Sequence, residues 1–188
     1  MLIQMLVHQP QMLGTVLQHT PSWVWGLLAA LTALGLSQAR DRTAGLARVA
    51  LLPITMTGLA LWGIVSAFGG SPQFGPVLLA WLTAAVAALA AVAPFAPPAG
   101  SRYDPATRSF HLPGSWIPLL LILGVFLTKY VVGVELAMQP SLAHDSQYTL
   151  VVGTLYGAFS GLFSGRAIRL WRLAARPATP ARPQTANA

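Results

Sequence analysis

Trp116 to Met138 is a run of apolar residues interrupted by only two charged side chains, Lys129 and Glu135. As a helix it is about 33 Å long at roughly 1.5 Å per residue, the length of one bilayer crossing. Pro113-Gly114-Ser115 precedes it and Gln139-Pro140 closes it. The run contains the only lysine of the protein. A segment of this kind excludes most soluble folds.

The rest of the chain agrees. Of 188 residues, 55% are hydrophobic and 8% are charged, where a soluble domain carries about 25% charged residues. There are no cysteines, so disulfides, thiol redox chemistry and Cys-ligated metals are excluded. The net charge of +7 is not read as a nucleic-acid signal. The arginines flank apolar spans and do not interleave with aromatics on a soluble face. No basic n-region or A-x-A-like site marks a cleavable signal peptide. The expected fold class is an all-α polytopic membrane helical bundle in one domain.

A short repeat runs over residues 1–21, almost all of it in an N-terminal segment, residues 1–20: Met1-Leu2, Leu6, His8 and Pro10 recur as Met12-Leu13, Leu17, His19 and Pro21. Two readings stand, an amphipathic interfacial segment or a start site at Met12. The paired histidines have no carboxylate or cysteine nearby, and no metal or other cofactor is expected. Residues 21–173 are read as five transmembrane helices at about 21–37, 48–68, 75–93, 116–138 and 148–165. Thr20 and Pro21 suit the start of the first, and Trp23 and Trp25 an interfacial belt. Pro53 falls in the first turns of the second. The third carries Ala80, Ala84 and Ala88 four apart, a spacing that allows close helix approach. Residues 101–111 look like a small β-hairpin turning at Asp104-Pro105, between helices 3 and 4. Residues 174–188 are expected to form a disordered tail.

Charge predicts the threading. With the N-terminus outside and five crossings, loops 38–48 and 94–115 and the C-terminal tail are cytoplasmic. Those segments carry every basic side chain except Lys129, as the positive-inside rule requires. The lipid bilayer is the expected partner, in a bacterial cytoplasmic (inner) membrane.

Lys129 falls below the outer headgroups, where a lysine costs about 2.5–3.5 kcal/mol near the hydrocarbon centre. Three roles are open: a structural anchor between helices, a snorkelling side chain, or part of an ion path. Side chains lean toward their helix N-terminus, which works against outward snorkelling. Glu135, six residues on, lies about 120° around the helix from Lys129. It shares a face with Thr128 and Gly124. A group on another span would have to join Lys129 to Glu135, and Tyr156, Thr154 and Trp62 are the candidates at similar depth. Gly153, Gly157, Gly161 and Gly165 recur at every fourth residue and form one groove along the fifth helix, a glycine zipper. The groove packs either against a helix of the same chain or in a homo-oligomer. His144-Asp145 reads as a solvated turn. No nucleophile motif, Walker loop, dinucleotide fingerprint or zinc signature is present, so no enzyme is expected.

The chain resembles a family of small bacterial inner-membrane proteins of unknown function. The likeness rests on Pro21-Ser22-Trp23-Val24-Trp25, Gln38-Ala39-Arg40-Asp41-Arg42 and Arg102-Tyr103-Asp104. It continues in Pro113-Gly114-Ser115-Trp116-Ile117-Pro118-Leu119, Lys129-Tyr130 with Gly133-Val134, Ala137-Met138 with Pro140, and Tyr156-Gly157 with Ser160-Gly161. The resemblance implies several membrane helices and no established activity, substrate or cofactor. The N-terminal repeat stands outside its pattern. The leading functional reading is a non-enzymatic membrane component acting through helix packing. The alternative is a small transporter or ion-coupled permease component using Lys129, Glu135, Tyr156 and Thr128.

Overall fold

The computed structural model describes residues 18–175. Most of the expected interfacial segment, residues 1–17, and the tail from residue 176 lie outside the described residues. The elements in chain order are α1 (Ser22–Ser37), β1 (Arg42–Gly45), α2 (Leu46–Phe68), α3 (Phe74–Val92), β2 (Arg102–Asp104), β3 (Ser109–Leu112), α4 (Ile117–Met138), a 3-10 helix (Pro140–His144) and α5 (Ser146–Ala174).

The expected hairpin forms, and it is larger than expected. β3 pairs antiparallel with β2, setting Tyr103 opposite Phe110. On its other edge it pairs with β1, from Arg42 opposite Leu112 to Gly45 opposite Ser109. The loop between α1 and α2 therefore supplies a third strand. In the hairpin turn, the Asp104 carboxylate accepts bonds from the Ala106 N–H at 3.0 Å and the Thr107 hydroxyl at 2.8 Å. The Thr107 bond, then that from Ala106, holds its carboxyl below the usual range. The turn is thus favoured above the ordinary carboxylate pKa and loses this support as pH falls through the depressed one.

The sheet collects one end of the bundle. It joins the end of α1 and the start of α2 to the segment between α3 and α4. Leu170, Leu173 and Ala174 of α5 pack against its buried face of Ala44, Phe110 and Leu112. The five helices therefore alternate in direction, with α3 and α5 parallel. The Arg172 guanidinium donates to the Ala93 carbonyl at 2.6 Å, and Arg169 donates to Ala96 O. Both place positive charge at the C-terminal end of α3, where the helix dipole favours it. At the far end the Ser71 hydroxyl donates to the Ala143 carbonyl at 2.7 Å. Asp145, expected in a solvated turn, instead caps α5 by accepting from the Tyr148 N–H at 2.7 Å. Thr20 does not cap α1. Its hydroxyl lies 2.6 Å from that of Tyr130 on α4.

Three helices, Leu46–Phe68, Phe74–Val92 and Ile117–Met138, are long and apolar enough to cross a membrane. The chain reads as a membrane protein, with Leu51, Ile54, Trp62, Leu79, Leu120 and Leu127 exposed on those helices. The expectation of five such helices is met only in part. α1 has 16 residues, about 24 Å of helix at 1.5 Å per residue, against a hydrocarbon core of about 30 Å. α5 has 29 residues but is rich in glycine, serine and arginine. Its buried positions include Val152, Tyr156, Ser160 and Phe163. Other helices shield it, so it needs little apolar surface of its own. It also continues past Gly165, where the sequence reading ended the span. Arg166, Arg169 and Arg172 lie on the helix.

Phe110 is fully buried, and its ring centroid lies 5.0 Å from that of Tyr103. Phe110→Ala should cost about 3–5 kcal/mol, read as a lower denaturation midpoint in detergent and faster proteolysis within 94–115. A variant with wild-type stability and protection would show that the sheet does not clamp the helix ends.

Candidate functional site

Lys129 sits on the side of α4 that faces α2 and α5, half-buried. Its ammonium donates to the Leu59 carbonyl of α2 at 3.0 Å. It also lies 4.6 Å from the centre of the Tyr156 ring of α5. A hydrogen bond from a charged donor contributes about 1.5–3 kcal/mol, and a desolvated cation over an aromatic face about 2 kcal/mol. Together these are of the size of the insertion cost of a lysine. The place is made by Gly63. A Cβ there would lie 2.5 Å from the Lys129 amine and 3.3 Å from Tyr156 Cε2. The missing side chain lets the ammonium reach the α2 backbone one turn earlier.

The other residues singled out in the sequence do not join this cluster. The Thr128 hydroxyl donates to its own helix, at the Gly124 carbonyl, 2.8 Å away. Trp62 is 69% exposed, and Thr154 is exposed too. Glu135 faces the Tyr148 hydroxyl near the far end of the bundle. Of the proposed partners, Tyr156 alone meets Lys129. Among the described residues, no group of three His, Asp or Glu gathers as a metal site.

The four glycines of α5 lie directly on α3. A Cβ at Gly153 would meet Val77 O at 2.7 Å and Ala80 Cβ at 3.3 Å. At Gly157 it would strike Trp81 O and Ala84 Cβ, and at Gly161, Ala85 O and Ala88 Cβ. At Gly165 it would meet Val92 Cβ at 3.0 Å. The alanine and glycine stripes, read separately in the sequence, are two halves of one parallel interface. The Trp81 indole N–H donates to the Ser160 hydroxyl beside it at 3.3 Å. Of the two readings of this groove, the structure shows packing within the chain: α3 lies against it.

Two of the sequence motifs also meet at the sheet end. The Gly114 N–H donates to the Asp41 carboxylate at 2.7 Å, and the Ser115 N–H to the Gln38 carbonyl at 3.0 Å. A Cβ at Gly114 would collide with Ala39 O.

A family model described as a family of unknown function (DUF6622) matches residues 1–182. The chain belongs to that family. No curated protein and no solved structure matches it. The family match starts at residue 1 and takes in the N-terminal repeat, which the resemblance had set outside the pattern.

Sequence reasoning missed two parts of the site. Gly63 has only Ala60, Ser66 and Ala67 near it on its helix face, a weaker pattern than the four-glycine run of α5, and it was not singled out. A cavity at the sheet end, lined by Arg42, Arg48 and Arg166, was hidden because the three arginines were read only as topology markers. Arg166, Arg169 and Arg172 are spaced by three, which is the available hint that they lie on a helix.

Gly63→Ala should destabilise the protein by about 1–3 kcal/mol, because the ammonium loses its place. In a Lys129→Met background the same change should cost far less. Thermal unfolding of the four proteins as a double-mutant cycle checks this. Additive costs would separate Gly63 from Lys129. Gly157→Leu with Gly161→Leu should prevent the bundle from folding at all, seen as aggregation on detergent extraction. A folded protein with an altered oligomeric state would contradict the α3–α5 packing.

Proposed function

We propose that the protein is a non-enzymatic structural component of the bacterial cytoplasmic membrane. In this reading it crosses five times, with its N-terminus outside and its C-terminus in the cytoplasm. α5 is the packing spine, and Lys129 anchors α4 to α2 and α5. What supports the reading is the Lys129 ammonium itself, occupied by the Leu59 carbonyl and the Tyr156 ring. A lysine that relays protons or attracts an anion needs open access and a partner that changes; this one is held by backbone. The arginines at the sheet end favour the cytoplasmic side for that end. Partners meet the protein on the outer faces of α2, α3 and α4, since the glycine face of α5 is occupied.

Two measurements check this. Reporters fused to the two termini should lie on opposite sides of the membrane; the same side for both would remove the five-crossing arrangement. In proteoliposomes, wild type and Lys129→Met should show equal and background-level proton and chloride fluxes. A flux abolished by Lys129→Met would replace this reading with that of a transporter.

A further inference from the structure

Two concavities meet at Pro53. The first, about 560 Å³, lies under the sheet between the ends of α1, α2, α4 and α5. Arg42 and Arg166 line it half-buried, Arg48 stands exposed at its edge, and Leu52, Phe163 and Leu170 form apolar wall. Among the described residues, no carboxylate lines it. The nearest acidic neighbour in sequence, Asp41, holds the Gly114 N–H instead. Arg42 donates to the Gln38 side-chain oxygen at 2.7 Å. Arg48 and Arg166 make no hydrogen bond or ion pair to any described residue. Arg42 feels the charge of Arg48, and Arg166 that of Arg42 and Arg169. The buried Ser101 hydroxyl, on a residue of the same wall, also has no hydrogen-bond partner among the described residues.

The second concavity, about 370 Å³, is a groove between α2 and α5 lined by Ala50, Ile54, Thr57, Ser164, Ile168 and Trp171, with Pro53 and Ala167 shared with the first. It is almost wholly apolar and faces outward beside the exposed Ile54. Pro53 links the two. A proline inside a helix removes the bond to the carbonyl four residues back, that of Val49, and pushes the backbone aside there.

We propose that the two concavities form one site for a phosphate-bearing amphiphile. Its anionic headgroup sits among Arg42, Arg48 and Arg166, and the upper part of an acyl chain lies in the groove between Ile54 and Trp171. Guanidinium groups present paired donors that match phosphate oxygens. Three of them converging without a carboxylate repel one another until an anion arrives. A small soluble anion accounts for the cavity and leaves the adjoining groove without a role; a membrane lipid such as phosphatidylglycerol fills both. In the orientation proposed above the site opens to the cytoplasmic leaflet, where anionic headgroups meet the basic end of the protein.

The test uses the full chain in phosphatidylcholine nanodiscs titrated with phosphatidylglycerol brominated along its chains. Quenching of Trp171, isolated by difference against Trp171→Phe, reports occupancy of the groove. Brominated phosphatidylglycerol should quench at a lower mole fraction than brominated phosphatidylcholine. The midpoint should rise about fivefold in Arg48→Gln and again in Arg166→Gln, from about 1 kcal/mol per basic group. Arg48→Lys should keep most of the preference, which separates lost charge from lost fold. Arg102→Gln, on the exposed sheet surface, should leave it unchanged. Equal midpoints for the two lipids would overturn the proposal. So would an Arg102→Gln shift as large as that of Arg48→Gln, which reduces the effect to general surface charge. Inorganic phosphate tested without anionic lipid distinguishes the other source. If phosphate alone raises the melting temperature as much as phosphatidylglycerol does, the site takes a soluble anion and the lipid assignment fails.

Discussion

Everything in the bundle is arranged around the backbone contact between α3 and α5. In a bilayer, leucine gains little by leaving lipid for another helix, so association depends on dispersion and on close approach of polar backbone. Gly153, Gly157, Gly161 and Gly165 provide that approach. With Ala80, Ala84 and Ala88 opposite, the carbonyls of Trp81 and Ala85 come against the Cα edge of α5, where weak C–H···O contacts add to the packing. The consequence is a division of labour by residue size. Small residues face inward along α3 and α5, and bulky ones such as Leu79 and Leu82 of α3 face outward. α5 can then be the least apolar of the long helices, because it presents little of itself to lipid. The position of Tyr156 follows too. It lies on the same helix as the glycine stripe, and only an α5 held tightly in the centre puts its ring over Lys129.

The sheet acts at the other scale. It is small, yet its three strands come from two separate connections, so pairing them ties α1 and α2 to α3 and α4. The closing of that end is completed by contacts of the chain with its own backbone. Gly114 and Ser115 bond to the end of α1, and Arg169 and Arg172 bond to the carbonyls after α3. These arginines do two jobs with one charge. They satisfy carbonyls of the chain just past α3, at Ala93 and Ala96, and they keep that end of the bundle basic.

Much of this was legible in the residues. The spans of α2, α3 and α4 follow from hydropathy, and the hairpin from Asp104-Pro105 between short β-prone runs. Both small-residue stripes were visible, but their partnership was not. A spacing of four says that a helix has a smooth face, and nothing local says which other smooth face it meets. β1 was invisible for a related reason. Arg42-Thr43-Ala44-Gly45 has no strand pattern of its own and becomes a strand because the free edge of β3 is there to pair with. The partner of Lys129 was half legible. Tyr156 stood out as an aromatic at the right depth, whereas Leu59 contributes only a carbonyl, which every residue has. The end of α5 was misread because arginines after a span look like a loop in a charge count, although their spacing by three is helical.

The two groups of cations in this chain pose different problems, and the fold answers them differently. Lys129 is one compact charge. A single carbonyl and one aromatic face suffice for it, and both are reached because Gly63 gives way. Arg42, Arg48 and Arg166 are three planar cations drawn to one cavity by three different elements. Among the described residues, no backbone carbonyl holds Arg48 or Arg166 as Ala93 holds Arg172. Each added guanidinium makes the next more costly, since like charges in a partly dry cavity repel more strongly than in water. A fold that needed these residues only to orient itself in the membrane could leave them all on the outside of the sheet, where Arg102 and Arg108 are. Their convergence beside an apolar groove is therefore an arrangement that membrane topology does not explain.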